Sequence, residues 1–96
     1  DYQLIRITEK ELQSLIDLIN IKMGNPIHPY TRTADGLRAN VGNWHLDCAY
    51  GGVNVAEMCN EGGGIRTPLG MGFGPKRELY SKLQSFLSGL ESRKAA

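Results

Sequence analysis

The feature that most constrains this chain is an alternating segment that runs into two consecutive glycines. Its apolar positions are Trp44, Leu46, Cys48 and Tyr50, and the positions between them are His45, Asp47 and Ala49. A period of two is typical of a β-strand with one buried face. Gly51 and Gly52 follow directly and adopt positive φ at little steric cost, which predicts a two-residue hairpin loop. The return strand is then expected over residues 53–59.

A loop of this length fixes the register of the hairpin. The expected cross-strand pairs are Tyr50–Val53, Cys48–Val55, Leu46–Glu57 and Trp44–Cys59. One face is then apolar except at Glu57. The side chains expected on the opposite, outer face are His45, Asp47, Asn54 and Met58. A disulfide between the two cysteines is incompatible with this register.

Two amphipathic helices are predicted, over about residues 9–23 and 75–92. Thr8 and Glu11 have the spacing of a capping box, and Gly24 stands where a left-handed C-cap is needed. The apolar face of the first helix comprises Leu12, Leu15, Ile16, Ile19 and Met23. Pro75 suits the first position of the second helix. The apolar face of that helix comprises Leu79, Leu83, Phe86, Leu87 and Leu90.

Three further strand segments are weaker predictions. Residues 3–7 are rich in β-branched side chains, and residues 37–41 alternate and could pair with residues 30–33. Residues 65–69 form an edge strand in this interpretation, because Pro68 cannot donate to a ladder. The sequence therefore predicts a single α+β domain spanning residues 1–96. Its core would be an antiparallel meander of three to five strands with both helices packed on one face.

Composition excludes several classes of protein. Residues 1–60 carry five Lys and Arg against seven Asp and Glu, and residues 61–96 carry six against three. This mildly basic final third falls short of the basic stripe of a dedicated DNA-binding protein, so direct DNA binding is not expected. The longest apolar runs are too short to span a membrane. Two cysteines are too few for a disulfide scaffold, so we expect a cytoplasmic protein.

A glycine-rich approach to two cations is the first candidate site. Residues 70–74 alternate glycine with Met71 and Phe73, and Lys76 and Arg77 then open the second helix. Together with Arg66, this corner could bind a phosphate or nucleotide at a helix N-terminus. The spacing matches neither a P-loop nor a dinucleotide fingerprint. Solvated surface charge is the simpler interpretation.

His45 and Asp47 are the second candidate, as a general acid–base pair. Residues two apart on any strand share a face, and Cys48, the nearest nucleophile, is expected on the other face. The strongest soft-metal ligands are His28, His45, Cys48 and Cys59. None has a paired zinc spacing, so we expect neither a metal nor a cofactor.

Four segments of the chain resemble small accessory proteins of bacteriophages and prophages. These segments are Tyr50-Gly51-Gly52, Asn60-Glu61-Gly62-Gly63-Gly64, Lys76-Arg77-Glu78-Leu79-Tyr80 and Phe86-Leu87-Ser88-Gly89-Leu90. The resemblance covers about residues 44–91 and carries over no functional residue. It implies a bacterial host cytosol and action by binding a host component. Proteins of this type include inhibitors of bacterial immune systems, some of which block a protein while others sequester a nucleotide signal.

The leading hypothesis is therefore a non-enzymatic, anti-defence-like protein that inhibits or redirects a bacterial host protein. The glycine-rich turns and the loop over residues 25–42 would supply the contact surface, with Tyr30, Arg32 and Arg38 as the binding residues of that loop. One alternative is sequestration of a small anionic ligand, such as a nucleotide, at Arg66, Lys76 and Arg77. A second alternative is a small hydrolase that uses His45 and Asp47. Self-association into a homo-oligomer is left open.

Overall fold

The computed structural model describes residues 6–95 as an α+β fold with two helices, which confirms the predicted class. The elements in chain order are α1 (Glu9–Met23), β1 (Tyr30–Thr33), β2 (Gly36–Ala39), β3 (Trp44–Ala49), β4 (Gly52–Met58), β5 (Ile65–Arg66) and α2 (Lys76–Ala95). The strand predicted over residues 3–7 lies mostly outside the described residues. Arg6 and Ile7, its last two members, have no regular structure.

Helix α1 begins and ends as its capping residues predict. The backbone N–H of Glu11 donates to Thr8 Oγ1 over 3.1 Å, and the N–H of Thr8 donates to Glu11 Oε1 over 2.9 Å. Gly24 has a φ of 76° and donates its N–H to the carbonyl of Ile21. These bonds satisfy backbone groups that a helix leaves unpaired at its termini.

The strands form two antiparallel sheets. One sheet contains only β1 and β2, in the pairing expected of residues 30–33 with the strand that follows. The other has the order β3-β4-β5. Strand β5 is an edge strand, as Pro68 suggested, but it is only two residues long and pairs with Glu57 and Met58.

The predicted register of the central hairpin is wrong by two residues. Trp44 faces Glu57, Leu46 faces Val55, and Cys48 faces Val53. The turn residues are Tyr50 and Gly51, with φ values of 55° and 73°. Gly52 instead lies within β4, where a Cβ would come 2.8 Å from both the backbone N and the O of Gly74.

The contact with Gly74 explains the error in the register. Val53 exchanges two backbone hydrogen bonds with Gly74, of 2.8 and 3.1 Å, so the chain before α2 passes directly over Gly52. Gly52 is needed for close approach rather than for the turn. Because the slip is two residues, every side chain stays on its predicted face. Both cysteines are free.

The two helices cover one face of the three-stranded sheet. The buried core consists of Leu12, Ile16, Ile19, Trp44, Val53, Val55, Leu79 and Leu83. The Trp44 ring packs on Phe86 with ring centroids 4.9 Å apart. Both helices start at the same end of the sheet, near Cys48, and a 3.3 Å ion pair between Lys22 and Glu91 joins their final turns.

The opposite sheet face is less open than predicted. His45 and Asp47 are partly buried, whereas Asn54 and Met58 are each only 1% exposed. The Asn54 side chain donates to the carbonyl of Met71 over 2.8 Å and accepts the N–H of Val55. The glycine-rich segment before α2 therefore packs on this face and does not hang free.

The fully buried side chain of Asn20 makes the two backbone hydrogen bonds to β3 that a paired strand would otherwise make. Its Nδ2 donates to the carbonyl of Trp44 over 2.9 Å, and its Oδ1 accepts the N–H of Trp44 over 3.0 Å. Gln13, two helical turns earlier, accepts the N–H of Leu46 over 3.3 Å. Side chains of α1 thus bind the edge of β3 that faces away from β4 at Trp44 and at the N–H of Leu46.

We expect Asn20→Ala to lower the free energy of unfolding by roughly 2–4 kcal/mol, because it leaves two buried backbone groups of Trp44 without partners. Urea denaturation of the purified protein measures this change. Ser14→Ala, at an exposed position of the same helix, is the matched control and should stay within about 0.5 kcal/mol of the parent. An Asn20→Ala protein as stable as the control would show that these bonds contribute little.

Candidate functional site

Strands β1 and β2 form an arm, defined here as residues 30–39, that extends from the rest of the molecule. The two strands pack mainly on each other. The radius of gyration is 14.5 Å, against roughly 12.5 Å for a compact chain of this length. The molecule measures 54 × 39 × 21 Å along its principal axes. The hairpin of β1 and β2 is therefore an element of an elongated molecule that packs little on the other helices and strands.

Hydrogen bonds fix the arm at its base. The Asn40 side chain accepts from Thr31 Oγ1 and donates to the carbonyl of His28, both over 2.9 Å. The N–H of Ala39 donates to the carbonyl of Glu61 over 3.1 Å. The arm is therefore held in a defined direction.

The tip of the arm is also ordered by a local side chain. Thr33 Oγ1 donates to the carbonyl of Gly36 over 2.8 Å and accepts the N–H of Asp35 over 3.2 Å. These bonds close the turn between the two strands. The arm consequently presents its side chains on a rigid backbone, which favours specific contact.

Large apolar side chains are exposed mainly along the segment that contains the arm. Nine such side chains are exposed among the described residues. Six of them lie between positions 21 and 41: Ile21, Met23, Ile27, Tyr30, Leu37 and Val41. Leu37 is the most exposed of the six, at 63%. Two of the six, Tyr30 and Leu37, lie on the arm itself, whereas the large apolar side chain with the greatest exposed fraction is Tyr50, at 93%, in the turn of the central hairpin.

Three of the residues predicted to bind, Tyr30, Arg32 and Arg38, come together on this arm. Arg32 lies opposite Leu37 in the ladder, and Arg38 follows on the other face of the arm. Both arginines are exposed, and neither has an ion-pair partner among residues 6–93. The arm thus combines apolar side chains with uncompensated positive charge.

The other three predicted binding residues are not brought together. Arg66 donates from Nε to Glu57 Oε1 over 2.8 Å, and this bond raises the pKa of its guanidinium. Lys76 and Arg77 lie at the start of α2, beside the contact of Gly74 with Val53. Val53 and Glu57 are four residues apart on β4, roughly 13 Å. The structure therefore separates Arg66 from the two helix cations.

An open cleft of about 520 Å³ lies where the two helices begin. Its lining includes Glu9, Cys48, Gly51, Gly52, Gly74 and Lys76. Partial burial raises the pKa of the Cys48 thiol, the Glu9 carboxylate raises that pKa further, and Lys76 opposes both effects. The raised pKa lowers the fraction of Cys48 present as the nucleophilic thiolate, although the side chain itself is exposed.

His45 is oriented by Asn43 rather than by Asp47. The buried Asn43 side chain donates from Nδ2 to the carbonyl of Pro26 over 2.9 Å, so its Oδ1 faces His45 Nδ1 at 3.1 Å. This arrangement places the proton of the neutral ring on Nδ1. Burial lowers the pKa of His45, and the nearby Asp47 carboxylate partly offsets that effect. His45 and Asp47 lie on the same face of the sheet, as expected, but the described structure has no hydrogen bond between them.

The sequence did not reveal the three asparagines that organise these surfaces. Asn20, Asn43 and Asn54 are each at most 1% exposed, and each bonds to backbone from another part of the chain. Of the three, only Asn20 could have been recognised as buried from the sequence, because it lies four residues after Ile16 on the apolar side of α1. The described residues contain no cluster of three His, Cys, Asp or Glu side chains that could hold a metal ion.

Comparison with protein families, curated proteins and solved structures finds no match to this chain. Within the described residues, neither helix has the length and apolar character needed to cross a membrane.

We expect the free energy of unfolding to fall as the pH drops below about 6.5, partly because of His45. Its pKa is lowered in the folded state, so the unfolded chain binds the proton first and the unfolded state gains stability. His45→Asn keeps a donor for Asn43 and should flatten this fall. Asp47→Asn removes the charge that favours the imidazolium and should steepen it. Urea denaturation between pH ~7 and ~5.5 tests both, and an unchanged slope in His45→Asn would contradict the assignment.

Proposed function

We propose that this chain is a non-enzymatic binding domain that inhibits or redirects a protein partner through the arm. The observation that carries the proposal is the hairpin itself: Tyr30, Leu37 and Arg32 are exposed on one of its faces and Arg38 on the other, and neither arginine has an ion-pair partner among residues 6–93. Aromatic, apolar and arginine side chains are the residue types that dominate binding energy at protein interfaces. A rigid base lowers the entropy lost when the arm binds.

The resemblance to accessory proteins of bacteriophages supports a bacterial host protein as the partner, with immune-defence proteins as the first class to test. The charge of the arm supports an acidic contact surface on that partner. Arg32 and Arg38 carry two positive charges on the arm, and Asp35 is its single acidic residue. Opposite potentials at an interface raise the rate of association and disfavour wrong partners.

The geometry favours the arm over sequestration of an anion. A phosphate site needs concentrated positive charge, whereas Lys76 shares its cleft with Glu9. Arg66, the third predicted cation, is engaged by Glu57 at the far end of β4. On the arm, Tyr30 and Leu37 are exposed on the same face as Arg32, which has no ion-pair partner among residues 6–93.

The arm is also better supported than hydrolysis at His45. A general base needs an oriented imidazole beside a nucleophile. His45 bonds to the amide of Asn43, and Cys48 lies on the other face of β3 with a raised pKa. These groups do not form a nucleophile–base pair.

We expect Leu37→Asp to weaken binding to a bacterial partner at least about tenfold, because it places a charge at the apolar centre of the arm. The partner is first identified by affinity purification with the parent chain from bacteria. Its affinity for each purified variant is then measured by calorimetry.

Ile65→Asp is the matched control, since Ile65 is also an exposed apolar residue but lies on β5. It should retain the parent affinity, and both variants should keep the parent melting temperature. A Leu37→Asp protein that binds as tightly as the parent would remove the arm from the interface.

A further inference from the structure

The backbone of the arm shows which of its edges is open. The N–H of Ala39 donates to Glu61, so it points away from β1. Backbone groups alternate in direction along antiparallel strands. Tyr30 and Arg32, which lie opposite Ala39 and Leu37, therefore direct their N–H and C=O groups outward from β1. Among the described residues, neither of these two N–H groups has a hydrogen-bond partner.

The remaining sheet edges in the described part of the chain are closed or short. Asn20 and Gln13 cover the edge of β3. Gly74 and β5 pair with β4, and β5 itself spans two residues. On the arm, the carbonyl of Glu61 occupies the β2 edge at Ala39. The edge of β1 at Tyr30 and Arg32 is thus a template for strand pairing that the described residues leave open.

A two-stranded hairpin gains stability from a third strand. We propose that the β1 edge of the arm accepts an extended acidic segment of the partner protein as that third strand. The inference rests on the proposed function, because it specifies how the arm binds. Backbone bonds to Tyr30 and Arg32 would supply affinity, and side chains on the added strand would supply specificity.

The side chains of β1 define the segment that fits. Tyr30 and Arg32 are two residues apart and so share a face of the arm. An added strand would therefore place an acidic side chain beside Arg32 and an apolar one beside Tyr30. Charge also argues against a second copy of the chain, because pairing β1 with itself brings two copies of Arg32 onto one face.

The experiment compares Arg32→Pro with Arg32→Ala. Both substitutions remove the charge, but only proline also removes the outward N–H. Because that N–H takes no part in the β1–β2 ladder, proline is compatible with the edge strand. The probe is a synthetic peptide of roughly ten residues built on the repeat Val-Thr-Glu-Thr, in which valine and glutamate are two positions apart and share a face, and its control has lysine in place of glutamate.

The acidic peptide should bind the parent chain, and the basic peptide should bind at least about tenfold more weakly. Arg32→Ala should weaken binding of the acidic peptide, and Arg32→Pro should weaken it at least about tenfold more than Arg32→Ala does. In the parent chain, whose folding is not in question, the peptide should slow amide hydrogen exchange at Tyr30 and Arg32.

Equal affinities of the two Arg32 variants, or no binding of the acidic peptide at millimolar concentration, would overturn strand addition. A dimer in sedimentation that Arg32→Pro dissociates would also overturn it, in favour of a second copy. If Leu37→Asp abolishes binding of the bacterial partner while the two Arg32 variants bind it equally, the proposed function stands and only the mode of binding fails.

Discussion

The two hydrogen bonds between Asn20 and Trp44 connect helix α1 to the edge of β3, and the remaining architecture depends on that connection. They fix the height and rotation of α1 over the sheet, so that Ile16 and Ile19 enter the core. Trp44 then packs on Phe86, which places α2 beside α1. A hydrophobic face alone is non-directional, whereas a bidentate amide sets one geometry.

The molecule has two parts, the three-stranded sheet with its helices and the arm, which differ in how the backbone groups at their strand edges are hydrogen-bonded. In the three-stranded sheet, the amides of Asn20 and Gln13 bind the edge of β3 at Trp44 and Leu46, and Gly74 and β5 pair with β4. In the arm, the outward N–H groups of Tyr30 and Arg32 have no hydrogen-bond partner among residues 6–95, and both side chains are exposed. An open strand edge is a template for pairing with another chain, and the strand addition that we propose at the arm would leave the bonds between Asn20 and Trp44 intact.

Local signals in the sequence predicted the helices, the class of fold and the pairing of the arm strands, because capping, periodicity and turn chemistry act over a few residues. The predicted register of the hairpin was wrong because Gly52 lies against the backbone of Gly74 and not in the turn. This contact joins segments more than 20 residues apart. Of the predicted binding residues, Tyr30, Arg32 and Arg38 meet because β1 and β2 adjoin in sequence. Arg66 is separated from Lys76 and Arg77 by its pairing with Glu57, which no local pattern encodes.

Amide hydrogen exchange of the free protein, followed residue by residue by NMR, tests this division most directly. The N–H of Trp44 should exchange only on global unfolding, because buried Asn20 holds it. The N–H groups of Tyr30 and Arg32 should exchange faster than that of Trp44 by roughly three orders of magnitude or more. Comparable protection at Arg32 and Trp44 would contradict the account, because it would mean that the arm edge is already paired or that Asn20 does not close β3.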